Sequence, residues 1–222
     1  MSKSKSNEIC YICCEPGADT KEHIIPKCFF IPPLPDNLLT LQAHHRCHNQ
    51  PTEEYLRNIA VSFSEKSTEG KTLWDSKVAR SFQRNRTLRD SLQSSLLRRV
   101  DLVSPGGIWL GSAPGIRFKR DQFYPPLEKI VRGLHRYYIG RFLPKDAAFD
   151  WAINEPIEGP RLKVFQSSRP GISYPGVFEC RFGIASEGNV EMTVWWLRFY
   201  EGLVMRCVTK IDTAEGGNQK ST

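Results

Sequence analysis

Two ligand pairs, Cys10-x2-Cys13 and His44-x2-Cys47, bracket the first fifty residues, and they constrain the fold more than any other feature of the chain. A C-x2-C turn brings two thiolates to one ion, and the second pair completes a Cys3His set, a composition used by structural zinc sites. Thirty residues separate the pairs, so one shared ion would fold that stretch back on itself. Five of the seven cysteines precede residue 50, and four of the five histidines fall between His23 and His48, which is the clustering a metal site produces. The odd cysteine count does not suit a disulfide framework, and the start MSKSKSNE lacks the apolar core of a secretory signal. A cytoplasmic location is therefore expected. Cys14 and His45 adjoin the ligand pairs, and spacing alone allows either to substitute as a ligand.

The pattern around the pairs predicts an α+β fold. Apolar stretches at His23–Phe30 and Leu38–Leu41, separated by Pro32, Pro33, Pro35 and Asp36, read as strand, loop and strand. A helix follows from about Thr52, with Glu53 and Glu54 at its positive end and Tyr55, Ile59 and Phe63 at four-residue spacing. Residues Leu73–Val103 read as helical with a break near Asn85, and Leu88, Leu92 and Leu96 supply the stripe. Another helix is expected over Pro126–Tyr138, with Pro126 in its first turn and His135 as a structural or surface residue.

The C-terminal third reads as antiparallel strands, Val177–Ala185, Val190–Tyr200 and Leu203–Val208, with a hairpin at Glu201-Gly202. Alternation along the second of these sends Trp195 and Trp196 to opposite faces. The implied organisation is an N-terminal unit over 8–66, a basic helical segment over 67–104, a C-terminal α+β region over 105–212 and a flexible tail over 213–222.

Between the ligand pairs stand Glu22-His23-Ile24-Ile25-Pro26, then Asp36-Asn37-Leu38, and directly after the last ligand Cys47-His48-Asn49. This order resembles the HNH endonuclease family over about residues 10–60. The resemblance implies a ββα-metal unit stapled by structural zinc at Cys10, Cys13, His44 and Cys47. It implies a catalytic divalent cation such as Mg²⁺ held by Glu22 and His48. It also implies His23 as the base that activates water and Asn37 as the residue that fixes the loop and orients the His23 ring. His48 would sit at the first turn of the following helix. The residue types suit phosphodiester hydrolysis, because a neutral imidazole near pH 7 can accept a proton from water. The chain departs from the family in carrying His44 where a cysteine is usual, and Glu22 where Asp is also common.

The net charge is +7, and Lys77 to Arg99 holds seven cations against the single acid Asp90, a net +6. Arg80, Arg84, Arg86, Arg89, Arg98 and Arg99 are the expected contacts to a DNA backbone, where such contacts position a protein without reading sequence. Hydrophobic residues at 40% and charged residues at 25% suit a folded globular chain. No apolar run reaches the length of about 18 residues that a membrane-spanning helix needs. The expectation is a metal-dependent endonuclease on double-stranded DNA, with a homodimer as a candidate assembly. The competing expectation is a zinc-stabilised DNA-binding protein without catalysis, which leaves Glu22, His23, Asn37 and His48 without a role.

Overall fold

Pro26 ends the first strand earlier than the apolar run suggested. It has no N–H to give to a ladder, and Ile24, Ile25, Phe29 and Phe30 are all buried rather than alternating between core and solvent. In the computed structural model, which describes residues 7–48, 50–64, 67–84, 86–104, 106–153 and 167–212, strand β1 is therefore Thr20–His23. It pairs antiparallel with β2 (Thr40–Ala43), Thr20 opposite Ala43 and His23 opposite Thr40. A 3₁₀ turn at Lys27–Phe29 and the proline-rich loop connect the two strands. A second 3₁₀ turn at His45–Cys47 leads into helix α1 (Gln50–Ser62). Strand, strand and helix thus follow one another as the sequence suggested, and the chain mixes helices with antiparallel sheets in an α+β fold.

The basic segment is helical only in part. Helix α2 (Thr68–Leu73) is capped by Ser67, whose hydroxyl accepts the Gly70 N–H at 3.0 Å. A π-helical turn at Trp74–Val78 joins it to α3 (Ala79–Arg84), and α4 (Arg86–Gln93) follows. The predicted break at Asn85 and the predicted leucine stripe lie outside the described residues and side chains. Residues 96–103, expected as the end of this helix, instead form β3 (Leu96–Val103), paired antiparallel with β4 (Trp109–Ile116). The physical reason is local: β-branched Val100 and Val103 favour extended backbone, and Gly106-Gly107 supplies a turn with Gly107 at φ 82°. Arg98 and Arg99 accordingly project from adjacent positions of a two-stranded ribbon and not from a helix. The far end of that ribbon is apolar, with Ile108, Trp109 and Leu110 exposed by 67%, 58% and 65%.

Helix α5 (Arg120–Ile139) starts six residues before its expected N-terminus, so Pro125 and Pro126 lie inside it. It ends where Gly140 takes a left-handed conformation (φ 79°) and gives its N–H to the Arg136 carbonyl. Phe123, Leu127, Ile130, Val131 and Leu134 are fully buried along it. Beyond lies a five-stranded antiparallel sheet made of β5 (Ala148–Ile153), β6 (Arg169–Tyr174), β7 (Phe178–Glu187), β8 (Val190–Phe199) and β9 (Leu203–Asp212). Its strand order is β5-β9-β8-β7-β6. The β8–β9 hairpin falls where expected, with Tyr200 and Glu201 both at positive φ. Trp195 is buried and its neighbour Trp196 is half-exposed beneath the Arg198 guanidinium. The tail over 213–222 lies outside the described residues.

One hydrophobic core runs from Ile24 and Phe29 through α1 and α5 to Trp195, Phe199 and Cys207. The ring of Tyr138 stacks on Phe182 at 4.7 Å, and His135 lies 6.4 Å from Trp195, so α5 rests on the sheet. The sheet also ties directly to the N-terminal unit. The Tyr200 hydroxyl donates to the Phe29 carbonyl at 2.8 Å, and the Tyr174 hydroxyl donates to the Asn37 carbonyl at 3.2 Å. No helix among the described residues is long and apolar enough to cross a membrane.

Candidate metal centres

The first centre is built by two turns at the open end of the β1–β2 hairpin. Cys10 and Cys13 lie on a knuckle just before β1, closed by the Cys14 N–H donating to the Cys10 carbonyl at 2.9 Å. The Tyr11 N–H donates to the Gln42 carbonyl at 3.0 Å and fastens the knuckle to β2. His44 and Cys47 follow β2 on the second 3₁₀ turn. One ligand atom from each of Cys10, Cys13, His44 and Cys47 lies within 4.8 Å of the others, a set that can hold a metal ion. The His44 Nδ1 is 3.3 Å from the Cys13 sulfur and 3.8 Å from the Cys47 sulfur. The His44 Nε2 faces the Pro16 carbonyl at 3.1 Å, so Nε2 carries the ring proton and Nδ1 keeps its lone pair for a metal.

The two alternatives left open by spacing are separated by this geometry. The Cys14 thiol turns away and donates to the Leu143 carbonyl at 3.0 Å, and His45 is exposed with its backbone N–H bound to Asp19. Burial pushes the Cys47 thiol up to about 12, with the charge of Cys10 adding to the effect. Burial raises Cys10 too, but the backbone N–H groups of Cys13, His44 and Ile12 outweigh it and hold that thiol below its ordinary value.

The second centre lies where β1, the start of α1 and α5 meet. Glu22 and His48, paired by the sequence reading, come together with the His48 Nε2 3.6 Å from the Glu22 Oε1. Two further residues join them that the sequence reading had not assigned. Glu53, in the first turn of α1, places its Oε2 3.4 Å from the same nitrogen. Glu22, His48 and Glu53 thereby form a second set whose ligand atoms lie within 4.8 Å of one another. The Lys129 ammonium, 6% exposed, donates to the Glu22 Oε1 at 2.7 Å and to the Glu53 Oε1. A carboxylate offers several lone pairs on two oxygens, so this ion pair and a metal can share the same acids. The donor set of two carboxylates and one imidazole fits a divalent cation.

His23 follows Glu22 at the end of β1, half-buried, and its Nδ1 has no hydrogen-bond partner among the described residues. Burial lowers its affinity for a proton, the Lys27 and Lys129 cations lower it further, and Glu22 partly offsets them. The ring is therefore held neutral, the form a general base requires. Asn37 sits on an exposed turn, where its carbonyl receives the Tyr174 hydroxyl. Its side chain makes no bond to the His23 Nδ1, so the implied orientation of that ring by Asn37 is not seen at this nitrogen. The Tyr11 hydroxyl, buried without a partner among the described residues, is pushed well above the ordinary phenol range by burial and then by the charges of Glu22 and Glu53.

Glu53 had a legible signal, since it stands five residues after His48 on the first turn of a helix. Lys129 had a weaker one, as a buried cation following Glu128 between the apolar Leu127 and Ile130. Arg80, Arg84, Arg86, Arg98 and Arg99 are exposed, while Arg89 is half-buried with its Nε 3.8 Å from an Asp90 oxygen. Comparison with known proteins adds no relative to this geometry: no protein-family model, no curated protein and no solved structure matches the chain.

Proposed function

We propose that the chain is a metal-dependent DNA endonuclease of the HNH type, with structural zinc at Cys10, Cys13, His44 and Cys47 and a catalytic divalent cation at Glu22, His48 and Glu53. The observation that carries this reading is the meeting of Glu22, His48 and Glu53 beside a neutral His23 on a β–β–α unit, with a separate Cys3His set at its base. A ligating imidazole cannot also serve as a base, and in this arrangement no ligand of the clamp is asked to do both.

His23 takes the proton from a water molecule as its oxygen attacks phosphorus, and the leaving O3′ departs in line. A bound divalent cation supplies positive charge for the phosphoryl oxygens and the departing oxygen. Glu22 and Glu53 hold their carboxylates in place through Lys129, which keeps the site ordered before DNA arrives. The exposed arginines of α3, α4 and the β3–β4 ribbon give the protein phosphate contacts outside the site.

Plasmid DNA incubated with Mg²⁺ or Mn²⁺, with an EDTA control, tests the reading. Cleavage should need the metal and fall about 10²–10⁴-fold in His23→Ala, the range a general base contributes, with zinc content and DNA binding retained. Undiminished cutting by His23→Ala would refute the assignment of the base, and metal-supported DNA binding with no cutting by the native chain would favour the non-catalytic alternative.

A further inference from the structure

We infer that the β3–β4 ribbon is a DNA-bending arm whose apolar end wedges into the minor groove while its arginines hold the backbone phosphates. The inference rests on the reading of duplex DNA as the substrate and concerns a surface outside both metal centres. β3 and β4 pair with each other and join no other sheet among the described residues. A two-stranded ribbon on its own is marginally stable in water, so its exposed apolar side chains are a liability unless a partner covers them. Of the ten large hydrophobic side chains exposed among the described residues, five lie here: Leu102 and Val103 on β3, Ile108 in the turn, and Trp109 and Leu110 on β4. Scattered singly such residues are ordinary, but gathered at one end of a ribbon they mark an interaction surface. That end is held in shape. The Ile108 N–H donates to the Ser104 hydroxyl at 3.0 Å, the Ser104 N–H to the Ile108 carbonyl at 2.8 Å, and the Gly107 N–H to the Ser104 carbonyl at 2.9 Å. The other end is rooted in the fold. There the Arg117 N–H donates to the Ser95 carbonyl at 2.7 Å, Ile116 packs against the main core, and the Lys119 N–H donates to the Tyr55 hydroxyl of α1, the helix that carries Glu53.

Charge selects the partner. From Lys77 to Arg117 eight cations stand against two acids, a net +6, so a polyanion is drawn to this region and a second copy of the chain is repelled. The ribbon's one acid, Asp101, lies 3.8 Å from the Arg99 Nε. Arg98 and Arg99 are exposed on β3, roughly 15 Å along the strand from Val103, and Arg117 is exposed just after β4. A lipid surface touching the apolar end would leave those arginines more than a Debye length of about 8–10 Å away, whereas a duplex lying along the ribbon meets both. The end is also unsuited to reading base edges by hydrogen bonds. Ile108 and Leu110 have no polar side-chain atom, and the Trp109 Nε1 already donates to Asp101 at 3.3 Å. Apolar side chains accompanied by arginines act on DNA in another way, parting the stacked bases from the minor groove and kinking the duplex. The ribbon is itself shaped for wrapping. Its register shifts twice, and Gly111 takes φ 126° with nothing within 4 Å of where its Cβ would stand, so that glycine serves the bend and not the packing.

The test uses the full chain in a His23→Ala background, so that the duplex stays whole. The probe is a short duplex with 2-aminopurine at its pyrimidine–purine steps, which kink most easily, and a donor and an acceptor dye at its two ends. The base brightens when it leaves the stack, and energy transfer between the dyes reads the bend. Binding of the parent should raise both signals. Ile108→Ser with Leu110→Ser, both at exposed positions, should abolish both while the slope of log affinity against log salt stays as in the parent, because the phosphate contacts remain. Arg98→Ala with Arg99→Ala should reduce that slope by about 2. Circular dichroism establishes that each variant is folded. A parent that binds the duplex without brightening or bending it, or a serine variant that gives both signals in full, would overturn the inference. If the serine variant kept its DNA signals but turned a dimer into a monomer in sedimentation, the end would be an interface between copies. If it kept them but lost binding to vesicles of anionic lipid, the end would be a membrane contact. A parent that bends the duplex while the native chain cuts no plasmid would uphold the arm and refute the nuclease reading. A parent that binds no duplex, with a native chain that cuts none, would end both.

Discussion

At Gly133 helix α5 packs against Ile24, the residue after β1, and Gly133→Ala measures how much that approach is worth. A Cβ at this position would stand 2.8 Å from the Ile24 Cγ2, 3.0 Å from its Cγ1 and 3.2 Å from the Tyr11 Cε2. Ordinary contact begins at 3.4 Å, so the helix or the Ile24 side chain must retreat by about 0.6 Å. Overpacking of a filled core costs about 1–3 kcal/mol, and the better helix propensity of alanine returns about 1 kcal/mol. A net loss of about 0–2 kcal/mol follows, or a fall in Tm of up to about 4–8 °C for a chain of this size. Lys129 lies one turn before Gly133 on the same helix and Ile24 lies one residue after His23, so the retreat also separates the ammonium from Glu22. The assay pairs calorimetry with plasmid cleavage, and Gly140→Ala is the control. Its Cβ would meet nothing within 4 Å, but its φ of 79° imposes backbone strain of about 1–2 kcal/mol far from the acids. Gly133→Ala should lose more cleavage than Gly140→Ala at equal or smaller thermal cost. A Gly133→Ala protein with raised Tm and native cleavage would refute the argument that this contact sets the distance between α5 and β1.

Elemental analysis should find one zinc per chain, lost in Cys13→Ser and His44→Ala but retained in Cys14→Ser and His45→Ala; loss of zinc from Cys14→Ser would contradict the ligand geometry. Acid stability should depend on His135, which is fully buried beneath Trp195 with its Nδ1 donating to the Arg141 carbonyl. Burial depresses its folded pKa below the ordinary 6.5. The unfolded chain therefore takes up the proton first, and the stabilisation is full above about pH 6.5 and lost as pH falls through the folded value. Between pH 7 and 5 the native protein should lose stability more steeply than His135→Phe, the difference reaching at most about 1.4 kcal/mol per pH unit; parallel profiles would show that His135 takes no part.

The N-terminal unit was readable because its chemistry is written in short spacings. Ligand pairs at i and i+3 close turns whatever surrounds them, and Glu22, His23 and His48 keep their order along the chain. The parts that escaped depend on contacts far apart in sequence. Lys129 reaches Glu22 across more than a hundred residues, and helix periodicity says which face of α5 is apolar without saying what it covers. Two further misreadings were local. The run of leucines and arginines after Gln93 has helical propensity, but pairing with Trp109–Ile116 draws it into a strand. Pro126 suits a helix start because prolines favour that position, while burial of Phe123 extends α5 beyond it in the N-terminal direction.

Glu22 and His23 are neighbours at the end of β1, where they lie opposite Leu41 and Thr40 of β2. A slip of one position against β2 would turn the strand's side chains over and take Glu22 away from His48 and Glu53. The knuckle before Thr20 and the turn after Ala43 are the two ends that an ion held by Cys10, Cys13, His44 and Cys47 would join. Stripping that ion would thus do more than soften the fold, because it would free two short strands to trade their alignment and with it the acid that meets His48.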